Sequence, residues 1–263
     1  MLGAIAGDIV GSIYEHDPIK TTDFPLFQEN SRFTDDTVMT VAVARALMES
    51  DGKGQHDIRR AVIREMQYWG KRYPQAGYGG RFSEWLRTER PLPYHSWGNG
   101  SAMRVSAAGW LYRTLEQTLS HAKWTAEVTH NHPEGIKGAQ AVAAAIYLLR
   151  SGKSGEETMR YIRGVFGYDF RKTLAEIRPA YGFDVSCQGS VPQAMTAFFE
   201  SSGFEDCLRK AVSLGGDSDT IAAMAGSLAE AYYGIPEEIQ RKVHTYMDEE
   251  MIEVYRNFLE MRQ

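Results

Sequence analysis

Two short acidic motifs, far apart in the chain, carry the residue types most able to do chemistry. They are RFTDDT at Arg32–Thr37 and GGDSDT at Gly215–Thr220, and each stands directly before an apolar segment with helical periodicity. Carboxylate and hydroxyl oxygens suit Mg²⁺ or Mn²⁺, whereas zinc and copper sites draw on Cys and His. If the motifs meet in space, divalent cations could relieve the repulsion among their acids. The acids concerned are Asp35, Asp36, Asp217 and Asp219.

Helix capping is the simpler explanation of either motif alone. An Asp or Thr at a helix start accepts a hydrogen bond from an early backbone N–H, and the helix dipole favours its charge. A cap needs one such residue, but each motif supplies two acids within three positions. The spacing does not show whether the motifs converge, so both interpretations stay open from these residues alone.

Two glycine-rich loops offer a different chemistry. The first, SWGNGSAMR at Ser96–Arg104, leads into a predicted helix, and its backbone N–H groups could converge on a phosphate or diphosphate. An ordinary Asn-Gly turn explains the same letters. The second loop is GYGG at Gly77–Gly80, before a short helix. Trp97 could stack on a base, although aromatic residues lie more often in a core. Neither GxGxxG nor a Walker pattern is present, which disfavours a Rossmann dehydrogenase or a P-loop enzyme.

The first predicted helix contains two acids of uncertain purpose. Gly3, Gly7 and Gly11 recur at helical spacing and predict a groove for close packing of another helix. Asp8 lies among apolar residues and would need a partner if buried. Glu15, at the predicted helix end, could be no more than a solvated terminus.

One histidine motif closes another predicted helix. His130-Asn131-His132 spells HNH, but the nuclease motif of that name disperses its three residues, so we reject that match. A histidine near a helix C-terminus is often a favourable charge–dipole contact.

The elements that must position these residues are helical. We find no alternating stretch long enough for a sheet, and alanine- and glycine-rich faces predict a compact, orthogonal, all-α multi-helix bundle. No composition break marks a linker, so residues 1–263 are predicted to form one domain. The predicted helices are Leu2–Glu15, Thr37–Glu49, Ile58–Tyr73, Ala102–Glu116, Thr118–Thr129, Glu134–Leu149, Gly155–Val165, Val191–Phe199, Phe204–Leu214, Ile221–Tyr233 and Glu237–Leu259.

Bulk composition limits the partners and the compartment. A formal net charge of -5 gives no reason to expect a nucleic acid or an anionic membrane. Two cysteines in 263 residues do not make a disulfide framework, and a reducing cytoplasm fits them best. Met1–Ile13 is apolar, but Asp8 interrupts it and no basic flank precedes it, so we interpret it as the first helix of the fold, not as a leader or a membrane span.

Taken together, the motifs resemble the ADP-ribosylglycohydrolase family, which includes dinitrogenase-reductase-activating glycohydrolases and ADP-ribosylarginine and ADP-ribosylserine hydrolases. The resemblance runs in the family's order over nearly the whole chain. It comprises GAIAGDIVGSIYE ending at Glu15, RFTDDT, GYGG, WGNGSAMR, THNHPEGIKGAQAVA from Thr129 and GGDSDTIAAMAGSLAEAYYG from Gly215. His95 and the loop before it depart from the best-known animal members.

The resemblance implies a two-metal centre, normally two Mg²⁺, with Mn²⁺ as the alternative. It places Glu15 beside the metals. The implied metal ligands are Thr34, Asp35, Asp36, Asp217, Asp219 and Thr220. The implied substrate-binding residues are Gly79, Gly80, Ser96, Trp97, Gly98, Asn99, Gly100, Ser101 and His130.

The implied reaction is hydrolysis of the bond between the anomeric carbon of ADP-ribose and an acceptor, for which protein arginine is our preference. Metals would hold the ribose hydroxyls and lower the pKa of a water, and Glu15, Asp36 or Asp219 would assist its attack. The expected partners are ADP-ribose and an ADP-ribosylated substrate, with nucleic acid only as an acceptor, and a monomer is expected. The alternatives are a serine, nucleic-acid or small-molecule linkage, a non-catalytic crystallin-like relative, and a two-metal phosphohydrolase.

Overall fold

The computed structural model describes residues 1–262 and confirms the all-helical prediction over that range. Fifteen helices lie within it, and the one β-type pairing there is an isolated antiparallel bridge between Gly98 and Ser186. The helices are α1 Leu2–Gly11, α2 Asp35–Glu49, α3 Gln55–Arg72, α4 Gly80–Arg87, α5 Gly100–Met103, α6 Ser106–Leu111, α7 Leu115–Glu127, α8 Pro133–Arg150, α9 Gly155–Phe166, α10 Leu174–Ile177, α11 Cys187–Phe199, α12 Phe204–Val212, α13 Ser218–Tyr233, α14 Glu237–His244 and α15 Glu249–Met261.

Helices α1 and α13 form the centre of the core and pack against each other in antiparallel fashion. Every residue of α1 is buried, as is α13 from Ser218 to Glu230. The glycine stripe permits the approach, because a Cβ built on Gly11 would lie 2.5 Å from the Cα of Asp219, and Gly7 meets the backbone of Ala222. The predicted packing groove is confirmed, and it sets the end of α1 beside the start of α13.

Several predicted helix ends are wrong, and local hydrogen bonds explain them. Helix α1 stops at Gly11, so Glu15 lies in the turn that follows and not at a helix end. The predicted helix Glu237–Leu259 is two helices, because the Asp248 side chain accepts the backbone N–H of Met251 and begins α15. The short α10 was not predicted, although Thr173 and Glu176 form a capping box around its start.

The predicted helix Ala102–Glu116 departs most from the structure, because three helices occupy this region. The chain turns between Met103 and Ser106, and Thr114 caps a new helix by accepting the backbone N–H of Gln117. The helix that follows the glycine loop is therefore only four residues long. Within residues 1–262 no helix is both long and apolar enough to cross a membrane.

Candidate active site

The first acidic motif is fixed to α1 by a buried carboxylate. Asp8 is fully buried and accepts hydrogen bonds from Thr34 N (2.8 Å), Thr34 Oγ1 (2.7 Å) and Thr37 N (3.0 Å), as well as from the Thr37 hydroxyl. These contacts satisfy the acid that the sequence had left in need of a partner. They also orient the start of α2, so that Asp35 and Asp36 project from its first turn.

The second motif turns through two left-handed glycines. Gly215 and Gly216 have φ values of 68° and 73°, a conformation that side chains other than glycine rarely adopt. Asp217 follows as the residue before α13, but its side chain makes no capping hydrogen bond. Instead its Oδ2 accepts a 2.6 Å hydrogen bond from Asn99 Nδ2, which ties the motif to the first glycine loop.

The structure brings the two motifs together. Thr220 Oγ1 donates to Asp36 Oδ2 at 3.1 Å, and Thr34 Oγ1 lies 3.3 Å from Asp219 Oδ2. A carboxylate oxygen from each of Glu15, Asp217 and Asp219 lies within 4.8 Å of the others. Capping accounts for Thr34, whose hydroxyl accepts the N–H of Asp36, but it leaves the clustered acids unexplained.

Burial and mutual repulsion oppose ionisation of this acidic cluster. The pKa values of Asp35, Asp36 and Asp217 are raised well above their ordinary range, first by burial and then by the charge of Asp219. Burial and Asp219 also raise the pKa of Asp8 to about 7. Glu15, which is less buried, has a raised pKa for the same two reasons.

The cluster fits divalent cations on its own geometry. Asp36 Oδ1 is buried and has no hydrogen-bond partner among residues 1–262, so one carboxylate oxygen is left for a ligand. The side chains that the two motifs and Glu15 bring together offer carboxylate and hydroxyl oxygens, which are the metal-binding atoms that Mg²⁺ and Mn²⁺ prefer. Positive charge placed among them would stabilise their ionised forms.

The first glycine loop is held by the segment before α11. Asn99 N donates to Val185 O at 2.7 Å, and Cys187 N donates to Trp97 O at 3.0 Å. Because α5 spans only Gly100–Met103, the expected helix dipole behind this loop is small. The Gly98 N–H is likewise used, in a 3.1 Å hydrogen bond to Ser96 Oγ, so an anion bound here must rely mainly on nearby side chains.

Two buried basic side chains stand next to this loop. His130 lies beyond the end of α7, not within its last turn, and burial and the charge of Arg104 lower its pKa well below the ordinary value. Arg104 is 1 % exposed, and burial lowers its pKa to about 10. Arg104 is the last residue of the motif SWGNGSAMR, but nothing in the sequence indicated that its side chain would be buried.

A single cleft of about 550 Å³ is lined by the acidic cluster, by the second glycine loop beside Asp35, and by the first glycine loop with His130 and Arg104. It also contains residues that sequence reasoning missed, among them Arg104, Phe183 and Val185. The half-exposed Trp97 lines the cleft and is not a core residue. The predicted site residues that line it are Glu15, Asp35, Asp36, Gly79, Gly80, Ser96, Trp97, Gly98, Asn99, Gly100, His130, Asp217, Asp219 and Thr220.

Two predicted site residues lie behind the cleft wall. Thr34 is buried and bonded to Asp8, beneath the acidic cluster. Ser101 is fully buried, and its hydroxyl donates to Gly135 O at 2.7 Å. A direct contact between Ser101 and a ligand in the cleft is therefore not supported by the structure, because that hydroxyl points into the packing between α5 and α8.

Comparison with known proteins agrees with this architecture. Human ADP-ribosylhydrolase ARH3 is 26% identical over 332 aligned positions, which cover 96% of this chain and 90% of that protein. The ADP-ribosyl-[dinitrogen reductase] glycohydrolase of Rhodospirillum rubrum is 28% identical over 78% of this chain and 70% of its own. The ADP-ribosylarginine hydrolase Tri1 of Pseudomonas putida is 28% identical, with coverages of 89% and 70%.

A solved structure and a family model extend the comparison over the full length. The structure, titled ADP-ribosylglycohydrolase-related protein complex, superimposes with a TM-score of 0.74 and 26% identity, and covers 100% of this chain and 97% of that one. The model of the ADP-ribosylglycohydrolase family matches residues 1–263. The chain therefore belongs to the ADP-ribosylglycohydrolase family.

Proposed function

We propose that this chain hydrolyses the glycosidic bond between ADP-ribose and an acceptor, with protein arginine as the preferred acceptor. The observation that carries the proposal is the single cleft in which a carboxylate cluster faces a glycine loop backed by His130 and Arg104. One end is suited to ribose hydroxyls and cations, and the other to the diphosphate. The volume of about 550 Å³ is within the range of small-molecule sites.

The acidic and threonine side chains of the cleft each have a role that follows from their position. Two Mg²⁺ or Mn²⁺ held by Asp35, Asp36, Asp217 and Asp219, with Thr34 and Thr220 beside them, would orient the ribose hydroxyls and lower the pKa of a nearby water. Glu15 lies within 4.8 Å of Asp217 and Asp219 and is not among the residues assigned to hold the cations, so it is the carboxylate placed to take a proton from the attacking water.

The bond changes balance without another reactant. The water oxygen bonds to the anomeric carbon, the bond from that carbon to the acceptor nitrogen breaks, and the nitrogen leaves with a proton. The carboxylate cluster stabilises positive charge on the sugar in the transition state. His130 and Asn99 hold the remainder of ADP-ribose in place, in the space left by the missing side chains of Gly98 and Gly100.

Arginine is preferred because one relative, the hydrolase Tri1 of Pseudomonas putida, is named as an ADP-ribosylarginine hydrolase and is 28% identical over 89% of this chain. The structure adds that Glu15 stands beside the acidic cluster with part of its side chain exposed, where a cationic guanidinium would meet favourable charge.

An acceptor panel tests the proposal. Purified protein with Mg²⁺ is incubated with ADP-ribosyl-arginine, ADP-ribosyl-serine and ADP-ribosyl-DNA-end substrates and with a phosphomonoester, and free ADP-ribose and phosphate are measured. We expect ADP-ribose from the arginine conjugate, little from Asp219→Asn, and wild-type rates from Asp23→Asn, which changes an exposed acid outside the cleft. Release of phosphate without ADP-ribose would contradict the proposal in favour of a phosphohydrolase, and no turnover of any substrate would favour a crystallin-like role.

A further inference from the structure

The two buried basic side chains at the glycine loop are joined by one hydroxyl. Arg104 Nη2 donates to Thr129 Oγ1 at 2.8 Å, and the same oxygen lies 2.7 Å from His130 Nδ1. All three residues are at least nine-tenths buried. No function has been given to Thr129 or to this connection, although it ends on a residue that lines the cleft.

The chain of contacts determines where protons must lie. A guanidinium only donates, so Thr129 Oγ1 must accept from Arg104. A threonine hydroxyl has one hydrogen, and within residues 1–262 the only other hydrogen-bond contact of this oxygen is His130 Nδ1. The hydroxyl hydrogen is satisfied only if it points at Nδ1, which must then accept it. The imidazole is neutral because burial and Arg104 lower its pKa, so its single proton is on Nε2.

The Nε2 atom faces the glycine loop. A Cβ built on Gly100 would lie 3.2 Å from Nε2, and one on Gly98 would lie 3.5 Å away. The absence of side chains at these two positions is therefore what leaves space in front of the nitrogen. A hydrogen on Nε2 would point into that space.

We propose that Arg104 and Thr129 act as positioning residues that hold His130 in the neutral Nε2–H tautomer, which makes it a hydrogen-bond donor to an oxyanion or hydroxyl of the ligand in the cleft. This inference rests on the proposed function for the identity of the ligand, a nucleoside diphosphate sugar. The tautomer itself follows from the contacts of Thr129 with Arg104 and His130 and does not depend on which ligand binds.

A second observation supports a role beyond packing. Arg104 is buried without a carboxylate partner in its hydrogen bonds, which go to Thr129 Oγ1 and Thr125 O, and its Nε has no partner within residues 1–262. A buried cation of this kind is costly unless charge is supplied to it. Arg104 is among the residues that line the cleft, so an anionic diphosphate bound there would provide that charge. The negative end of the dipole of α5 could supply little of this charge, because the helix is only four residues long.

The tautomer is measured directly by long-range ¹H–¹⁵N NMR on protein labelled at histidine, without ligand. His130→Gln assigns the His130 signals among the seven histidines of the chain. We expect a protonated Nε2 and an unprotonated Nδ1 in the wild type. In Thr129→Val, which keeps the shape but removes the hydroxyl, we expect a mixture of tautomers, and in Thr129→Ser the wild-type pattern. A wild-type ring protonated at Nδ1 would overturn the assignment, and a Thr129→Val spectrum identical to wild type would overturn the positioning role of Thr129.

Ligand binding gives the functional readout. ADP-ribose should bind Thr129→Val about tenfold more weakly than wild type or Thr129→Ser, the scale of one hydrogen bond to a charged group. Equal affinity for Thr129→Val would overturn the positioning role. If wild-type protein has the Nε2–H tautomer but binds no ADP-ribose, the proposed function fails while the tautomer assignment is supported. The wild-type spectrum decides the assignment even if Thr129→Val does not fold.

Discussion

Two parts of the cleft, an acidic end and a glycine end joined by the hydrogen bond from Asn99 to Asp217, have opposite electrostatic needs. At the acidic end, formed by Glu15, Asp35, Asp36, Asp217 and Asp219, like charges are crowded together and their ionisation is opposed. At the glycine end, formed by Ser96–Gly100, His130 and Arg104, a buried cation stands beside a neutral imidazole. The first end needs added cations and the second needs an added anion. A ligand with a diphosphate and a metal-binding ribose answers both, and this complementarity favours ADP-ribose over a ligand with only one of these groups.

The acidic end should be the more sensitive to substitution. Asp36→Asn should lower hydrolysis about a thousandfold or more, because a ligand oxygen for the cations is lost. The same change should make the metal-free protein more stable, because it removes one charge from a repelling cluster. Turnover and urea unfolding of the metal-free protein measure the two effects, with Asp23→Asn as control. Near wild-type turnover would contradict the role of Asp36 as a cation ligand, and a less stable metal-free protein would contradict the repulsion among the acids.

The glycine end should respond in binding more than in turnover. Gly100→Ala places a Cβ 3.2 Å from His130 Nε2 and should weaken ADP-ribose binding about tenfold. The matched control is Gly164→Ala in α9, where a Cβ meets nothing within 4 Å. Calorimetric titration of ADP-ribose measures both variants. If Gly100→Ala binds as tightly as Gly164→Ala, the space before Nε2 is not used by the ligand.

The smallest effect is expected in the pH dependence of stability. A carboxyl group whose pKa is higher in the folded chain binds more protons when folded, so the free energy of unfolding falls as the pH rises between the unfolded and folded pKa values. For Asp8 this range runs from about 4 to about 7.

Without metal, we therefore expect the free energy of unfolding to be lower at pH 8 than at pH 5 by about 1.4 kcal/mol or more, the value of one pKa unit. Saturating Mg²⁺ should remove this fall by stabilising the ionised acids. Denaturant unfolding at several pH values measures it. A metal-free protein that becomes more stable as the pH rises over this range would contradict the raised pKa values.

The acidic end was largely predictable from the sequence, and the glycine end was not. The motifs around Asp35 and Asp217 can be recognised in the sequence because each places two acids beside a helix start. The glycine stripe of α1 predicted close helix packing, and in the structure that packing brings Glu15 to these acids. Convergence itself depended on contacts between residues about 185 positions apart, such as Thr220 with Asp36, which no local pattern encodes.

At the glycine end, local interactions overrode the helical pattern. The periodicity through Ala102–Glu116 predicted one long helix, but the capping of α7 by Thr114 and the turn after Met103 divide it. The helix dipole expected behind the first glycine loop is therefore small, and the positive charge beside the loop comes from the buried Arg104. The family resemblance implied that Ser101 binds substrate, but from the first turn of α5 its hydroxyl donates to Gly135 O.

The central claim is that the four aspartates meet around divalent cations, and anomalous diffraction from crystals soaked in Mn²⁺ tests it most directly. We predict two anomalous peaks between the start of α2 and the start of α13, within bonding distance of Asp35, Asp36, Asp217 and Asp219. They should disappear in crystals of Asp219→Asn. Peaks confined to other surfaces, or none at saturating Mn²⁺, would contradict the account.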